Sequence, residues 1–271
     1  MDEQFNTTLN LIVLFQYFLL KKMDFKDHFS GHASCYSLYR PHYPPTLFDY
    51  LASLVIQREK AWDCGTGNGQ AAVNLAPYFN QVVATDPSEK QINNAVQKDN
   101  ISYSVQRAEK TSLASNSIDI VTVAQALHWF NITAFYHEAQ RVLKPQGVIA
   151  IWGYRLMEIT PEIDRIVKEY CYEIVGDFWP PERQLLEEKY SSIPFPFLEL
   201  PPPEFFMGQT WSLNHLMGYL NTWSSTKYFI AQNQTNPLNL IEEDLKSVWG
   251  EPETPKLVRW PLHLKVGRQE E

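Results

Sequence analysis

The chain has 271 residues, 44% of them hydrophobic, and a formal net charge of -8. That length and apolar content carry one sizeable core without requiring a second domain, while the acidic balance, with no dense Lys/Arg cluster, excludes a protein that tracks a nucleic-acid backbone. Cys35, Cys64 and Cys171 are odd in number, far apart and outside any metal-ligand spacing, which predicts free thiols, no bound metal and a reducing, cytoplasmic location.

In chain order, residues 9–20, LNLIVLFQYFLL, are almost wholly apolar and precede Lys21 and Lys22. A secretory signal carries its positive charge in front, and twelve helical residues reach about 18 Å, short of the roughly 30 Å hydrocarbon core. No stable membrane span is expected. Residues 1–22 are read as an apolar extension, either a surface or packing helix or a stretch ahead of a natural start at Met23, and 23–271 as a single domain. From Phe25 to Pro45, aromatics and histidines flank Arg40, and prolines forbid a long regular element, so this stretch reads as an ordered cover. Leu47, Tyr50, Leu51, Leu54 and Val55 then recur at helical spacing behind Pro44 and Pro45, predicting a helix over 45–56.

A short apolar strand at Lys60–Cys64 runs into Gly65, Gly67 and Gly69, and Ala71, Ala72, Leu75 and Tyr78 open a helix directly behind them. Glycines permit positive φ and close approach to the backbone, and the helix start offers unpaired N–H groups. Alone, they would equally serve an ordinary tight turn. The next predicted strand, at 81–86, ends in Asp86, 21 residues beyond Gly65. An acid about 20 residues past a glycine turn, at the tip of the neighbouring parallel strand, is placed to accept hydrogen bonds from ribose hydroxyls, so a nucleoside-containing cofactor is expected. The glycines fall as G-x-G-x-G with Asp63 two residues ahead, which departs from the G-x-G-x-x-G of dinucleotide folds.

Ser88 is a candidate cap for a helix to about Lys98, and a strand follows at 101–106. Residues 119–124 form an apolar strand that ends in Gln125, His128, Trp129 and Phe130, at the end where open α/β sheets bind ligands, and Gln125 is the candidate cofactor contact there. A helix over 132–143, the turn KPQG at 144–147 and a strand over 148–154 complete the βα alternation, with Gly147 expected to supply any left-handed turn conformation. Residues 157–203, rich in aromatics and prolines, read as an inserted lid. A strand at 205–211, a helix at 213–223 and a strand at 256–267 close the sheet, with Pro261 suggesting a bulge. The predicted fold is an α/β three-layer sandwich around a mostly parallel sheet.

Three motifs carry a resemblance to a known family: D-x-G-x-G-x-G at 63–69, F-S-x-x-A-x-x-Y-x-x-Y-R-P-x-Y-P at 29–44 and A-x-x-L-H-W-F at 124–130. The first resembles class I S-adenosylmethionine-dependent methyltransferases; the other two resemble the trans-aconitate methyltransferase-like small-molecule group within the type 11 domain class. The resemblance covers about 25–267 and implies a seven-stranded Rossmann-like sheet and S-adenosyl-L-methionine as cofactor. It places Asp63, Gly65 and Gly67 at the cofactor turn, Asp86 on the ribose, Ala108 and Glu109 beside the adenine, and Arg40 on the methionine carboxylate. Arg107 stands where most relatives carry an acid. His128 and Trp129 fall where the methyl group should emerge. The implied partner is a small-molecule methyl acceptor, read as an organic acid methylated on a carboxylate oxygen, with Arg155 and Trp129 binding it; for Arg155 a surface ion pair with a lid glutamate is the alternative. A hydroxyl acceptor would instead call on His128 as general base. A non-catalytic binding protein on the same fold and a nicotinamide-dependent oxidoreductase stand as alternatives, the latter disfavoured by the glycine spacing.

Overall fold

A computed structural model describes residues 41–270. Arg40, Cys35, the motif at 29–40 and the apolar extension 1–22 lie outside the described residues.

The sheet is organised around β1 (Lys60–Cys64), whose neighbours are β2 (Gln81–Asp86) and β4 (Ile118–Ala124). With β3 (Ile101–Val105), β5 (Leu143–Tyr154), β6 (Leu198–Leu200), β7 (Phe206–Trp211) and β8 (Lys256–Arg268), the order is β3-β2-β1-β4-β5-β8-β6. The first five strands pair in parallel and β8 enters antiparallel to β5. Both faces are covered, and the sequence shows why: along β5, Val148, Ala150 and Trp152 join one apolar core while Ile149 and Ile151 join the other. A strand buried on both sides reads as a continuous apolar run rather than an alternation. Three of the flanking helices are α1 (Pro45–Ser53), α2 (Gln70–Leu75) and α4 (Ile132–Val142), with α3 (Glu89–Asn93) a short turn capped by Ser88.

The sheet has eight strand segments where seven were expected. The extra one, β6, lies inside the presumed lid and has too few residues to show a period; it takes up 266–268 of β8, while β7 takes up 256–261. Pro261 produces no bulge. It sits at the hand-off, opposite Phe206 at the end of the β7 pairing and one residue before β5 begins to pair at Leu262.

The expectation for Gly147 is corrected. Gln146 holds the left-handed conformation, at φ 64°. Gly147 is needed for room: a Cβ there would lie 2.8 Å from the Lys144 carbonyl oxygen.

Beyond β5 the chain builds a helical cap from α5 (Pro161–Glu169), α6 (Arg183–Glu187), α7 (Leu213–Asn221), α8 (Ser224–Asn233) and α9 (Glu242–Trp249). It therefore extends past the 157–203 segment. Thr160 caps α5 and Pro161 takes its first turn, as the sequence favours. Edge-on and tilted aromatic pairs join the pieces: the ring centroids of Trp211 and Trp260 lie 4.8 Å apart and those of Trp179 and Trp223 5.4 Å. Among the described residues no helix is long and apolar enough to cross a membrane, and Cys64 and Cys171 are buried free thiols.

Candidate functional site

The carboxyl ends of β1, β2, β4 and β5 open onto one side, and the predicted site residues of the described chain converge there. Gly65, Gly67 and Gly69 all have positive φ, so the turn leaving β1 is one that L side chains resist. Two of them have opposite surroundings. A Cβ on Gly65 would lie 2.7 Å from the Ala126 Cβ and 2.9 Å from Phe130, whereas one on Gly67 would meet nothing within 4 Å. Gly65 is bare so that the turn can pack against the β4 end. Gly67 is bare on its open side, where a ligand would approach.

Carboxylates hold the turn. Asp63 is fully buried, accepting from the Thr66 hydroxyl at 2.6 Å and the Thr122 hydroxyl at 2.9 Å. Burial lifts its pKa to about 6, and the two hydroxyl bonds pull it back. Asp63 thus acts on a ligand through the turn. Asp86, at the tip of β2, accepts from Gly67 N–H and from Ser88 N–H, each at 2.9 Å. The Asp86 carboxylate therefore fixes the open glycine to the tip of β2.

On the adjoining wall, Ala108 is buried, and Glu109 accepts from the Asn131 backbone N–H at 2.9 Å, joining the stretch after β3 to the start of α4. Gln125 has φ 56° and bridges two strand ends: its amide donates to the Tyr154 carbonyl at 3.0 Å and accepts from Tyr154 N–H at 2.8 Å.

His128 and Trp129 stand on a short 3-10 turn past β4, their rings 4.8 Å apart. His128 is buried with Nδ1 3.0 Å from the Tyr190 hydroxyl; burial, and secondarily Arg183, lowers its pKa to about 3. It is neutral near pH 7 and a weak base. Tyr190 comes from the segment after α6. That segment reaches the strand ends because residue 153 is glycine: a Cβ there would lie 2.5 Å from Leu186.

Arg155 leaves β5 toward α6, where its Nε lies 3.1 Å from a Glu187 carboxylate oxygen and its Nη1 donates to the Glu187 carbonyl at 3.2 Å. The close Nε–oxygen approach is an ion pair but not a hydrogen bond; among the described residues nothing accepts from Arg155 Nε. Arg183 holds the other oxygen of Glu187 at 2.8 Å, and the Tyr172 hydroxyl donates to the first at 3.0 Å. Two guanidinium groups share one carboxylate, leaving a net positive charge. His263 senses it: burial first, then Lys189 and Arg155, depress its pKa to about 4. The pairing of Arg155 with a lid glutamate was expected as an alternative, without a position, whereas Arg183, Tyr190, Thr66 and Thr122 were not anticipated. Thr66 lies inside the glycine motif and could have been; the lid residues carry no motif.

A glycine turn at the topological centre of a 3-2-1-4-5 parallel sheet, with an antiparallel strand beyond β5, defines a Rossmann-like α/β domain. Comparison with known proteins narrows the class. The family model described as "Methyltransferase domain" matches residues 62–151. A Dictyostelium discoideum protein assigned as a methyltransferase is 36% identical over 91% of this chain and 96% of its own length. Saccharomyces cerevisiae CRG1, described as an S-adenosylmethionine-dependent methyltransferase, is 22% identical over 91% and 97%. A solved structure from Anaeromyxobacter dehalogenans, described as a type II methyltransferase, superposes with a TM-score of 0.81 at 38% identity, covering 85% of this chain and 98% of that one. The chain belongs to the class I S-adenosylmethionine-dependent methyltransferases.

Proposed function

We propose that the protein transfers a methyl group from S-adenosyl-L-methionine to a carboxylate oxygen of a small organic acid. The turn supports that reading: a Cβ at Gly67 would occupy the open face a ligand needs, and Asp86, assigned to the ribose by its spacing from the turn, bonds the Gly67 N–H beside it. Gly65 shapes the turn, and Ala108, Glu109 and Gln125 form the adjoining wall; Arg40 is assigned to the methionine carboxylate on the motif alone. When bound, the cofactor supplies a methyl group on a positively charged sulfur.

The observation that carries the acceptor assignment is the pairing of a net-positive guanidinium cluster with a histidine too weakly basic to take a proton near pH 7. A carboxylate acceptor is already ionised and needs no base. With the cofactor bound, such an oxygen would take the methyl group directly and no proton would have to move, so no residue of the chain is asked to act as a base. The chain's contribution is positioning and exclusion of water. Trp129 and the aromatic cap close the site, and Arg155 binds a second, non-reacting carboxylate. His128 then serves as a neutral wall and hydrogen-bond partner rather than as a base.

The test uses methyl-labelled S-adenosylmethionine and pooled small acids. Alkali should release labelled methanol from the product; label retained after alkali would refute carboxylate methylation.

A further inference from the structure

The cluster under α6 has an imbalance that the reading above leaves unexplained. Glu187 is the sole carboxylate given to both Arg155 and Arg183 among the described residues, and it sits low in the structure, with its side chain 17% exposed. Arg183 is equally covered, at 18%, and is held from two sides: its guanidinium carbon stacks 3.7 Å above the Trp179 ring, and its Nε donates to Glu187 at 3.0 Å. Arg155 is more open, at 35%, and although a Glu187 oxygen lies 3.1 Å from its buried Nε, among the described residues nothing accepts a hydrogen bond from it. A guanidinium carries five donors in a fixed fork and binds carboxylates in pairs of parallel bonds. Here the forks are oriented around one small anion that satisfies neither fully. A buried donor left unsatisfied and a positive charge left uncompensated both cost free energy, and one incoming carboxylate would relieve both.

The neighbourhood agrees with that reading. Lys189 adds a further positive charge, and the two nearby imidazoles, His128 and His263, are both kept neutral by burial and these cations, so neither adds charge of its own. Tyr172, the remaining polar partner, already donates to Glu187.

Resting on the proposed acceptor class, we infer that Arg183 is a specificity-determining residue: it and Arg155 form a two-guanidinium clamp for the acceptor's non-reacting carboxylate, and Glu187 is the internal anion that holds the clamp in shape. The acceptor is therefore at least a dicarboxylate, and its product a monoester that keeps one charge on the clamp. Glu187 also sets the clamp's strength, since it neutralises half of its charge.

The clamp can be read without turnover. In the full-length protein loaded with S-adenosylhomocysteine, the Nε–H resonances of Arg155 and Arg183, assigned through R155K and R183K, are followed during titration with glutarate and with its neutral analogue glutaramide. Glutarate should shift both resonances to saturation, and glutaramide neither. R183Q should weaken glutarate binding by about tenfold, the worth of one charged hydrogen bond, with S-adenosylhomocysteine affinity unchanged. E187Q should tighten it; should E187Q fail to fold, the wild-type titration still decides. Resonances unmoved by glutarate, or moved equally by glutaramide, would overturn the clamp. The parent reading fails separately: if glutarate binds the clamp but the labelled product resists alkali, the anion site stands and carboxylate methylation does not.

Discussion

The two halves of the site are built on different principles. At the cofactor half, backbone does the work: Gly65 and Thr66 N–H both bond the Thr85 carbonyl, Gly67 N–H bonds Asp86, and buried Asp63 braces the turn through two hydroxyls. At the acceptor half, long side chains meet from distant parts of the chain: Arg155 with Glu187, His128 with Tyr190, Arg183 over Trp179. The first arrangement tolerates few substitutions because glycine and short carboxylates have no substitutes there. The second is set by packing of a cap, so it can vary in acceptor while the cofactor turn stays fixed.

Substitutions at two glycines should sharpen the contrast most. Gly65→Ala forces an L residue into positive φ and drives a methyl into Ala126 and Phe130, costing about 3 kcal/mol of stability. Gly67→Ala strains the backbone by about 1 kcal/mol but should reduce S-adenosylhomocysteine affinity by about tenfold or more, because its methyl enters the ligand's side. Denaturant melts and calorimetry separate the two, and an undiminished affinity in Gly67→Ala would place the ligand elsewhere.

Next in size is Asp86→Ala. It should lower S-adenosylhomocysteine affinity by about 1.5–3 kcal/mol, the range for bonds to a charged group, since a ribose partner and the tether on Gly67 go together. Calorimetry showing wild-type affinity would remove Asp86 from the ribose.

Asp63 predicts a pH dependence of defined sign. Its folded pKa, about 6, is above the ordinary 3.8, so the folded state binds a proton more tightly than the unfolded one. Its stabilising contribution is fully present below the ordinary value and is lost as pH rises through about 6. Asp63→Asn removes this titration, so the variant should gain on wild type as pH rises through that window, by up to about 1.4 kcal/mol per pH unit. A flat difference in melts across the window would mean that Asp63 titrates normally.

The smallest effect belongs to the acceptor half. Tyr190→Phe leaves the buried His128 Nδ1 without its partner and should cost about 1 kcal/mol of stability, while S-adenosylhomocysteine binding stays at wild-type strength. A large loss of cofactor affinity would erase the distinction between the halves.

The same distinction explains what could be read from the chain. Asp63, the glycines and Asp86 were legible because they act at strand tips a fixed number of residues apart, and a parallel sheet turns that spacing into proximity. The acid at Glu109 and the β5 exit at Arg155 were named from the chain, and an ion pair of Arg155 with a lid glutamate was expected as an alternative, but which glutamate was not legible, because no periodicity registers α6 above the strand ends. Helices α8 and α9 escaped notice for a related reason. The buried residues of α8 are the small, polar Ser225 and Thr226, so its sequence lacks an apolar stripe; α9 carries one through Leu245 and Trp249, but it has only 8 residues in which to show it. Gln146 was misjudged because a neighbouring glycine made the simpler assignment.

The strand β8 has a consequence for how the protein is made. It is the only described strand paired to β5, β6 and β7 alike, and on a ribosome it emerges after all of them. Until then the open edge of β5 presents unpaired N–H and C=O groups beside the apolar Ile149, Ile151 and Trp152, an invitation to pair with another nascent chain. The glycine turn and β1–β4 can assemble early, but cap and sheet are locked together only once β8 has been made. Chaperone dependence during translation should therefore fall on the wait for residues 256–268.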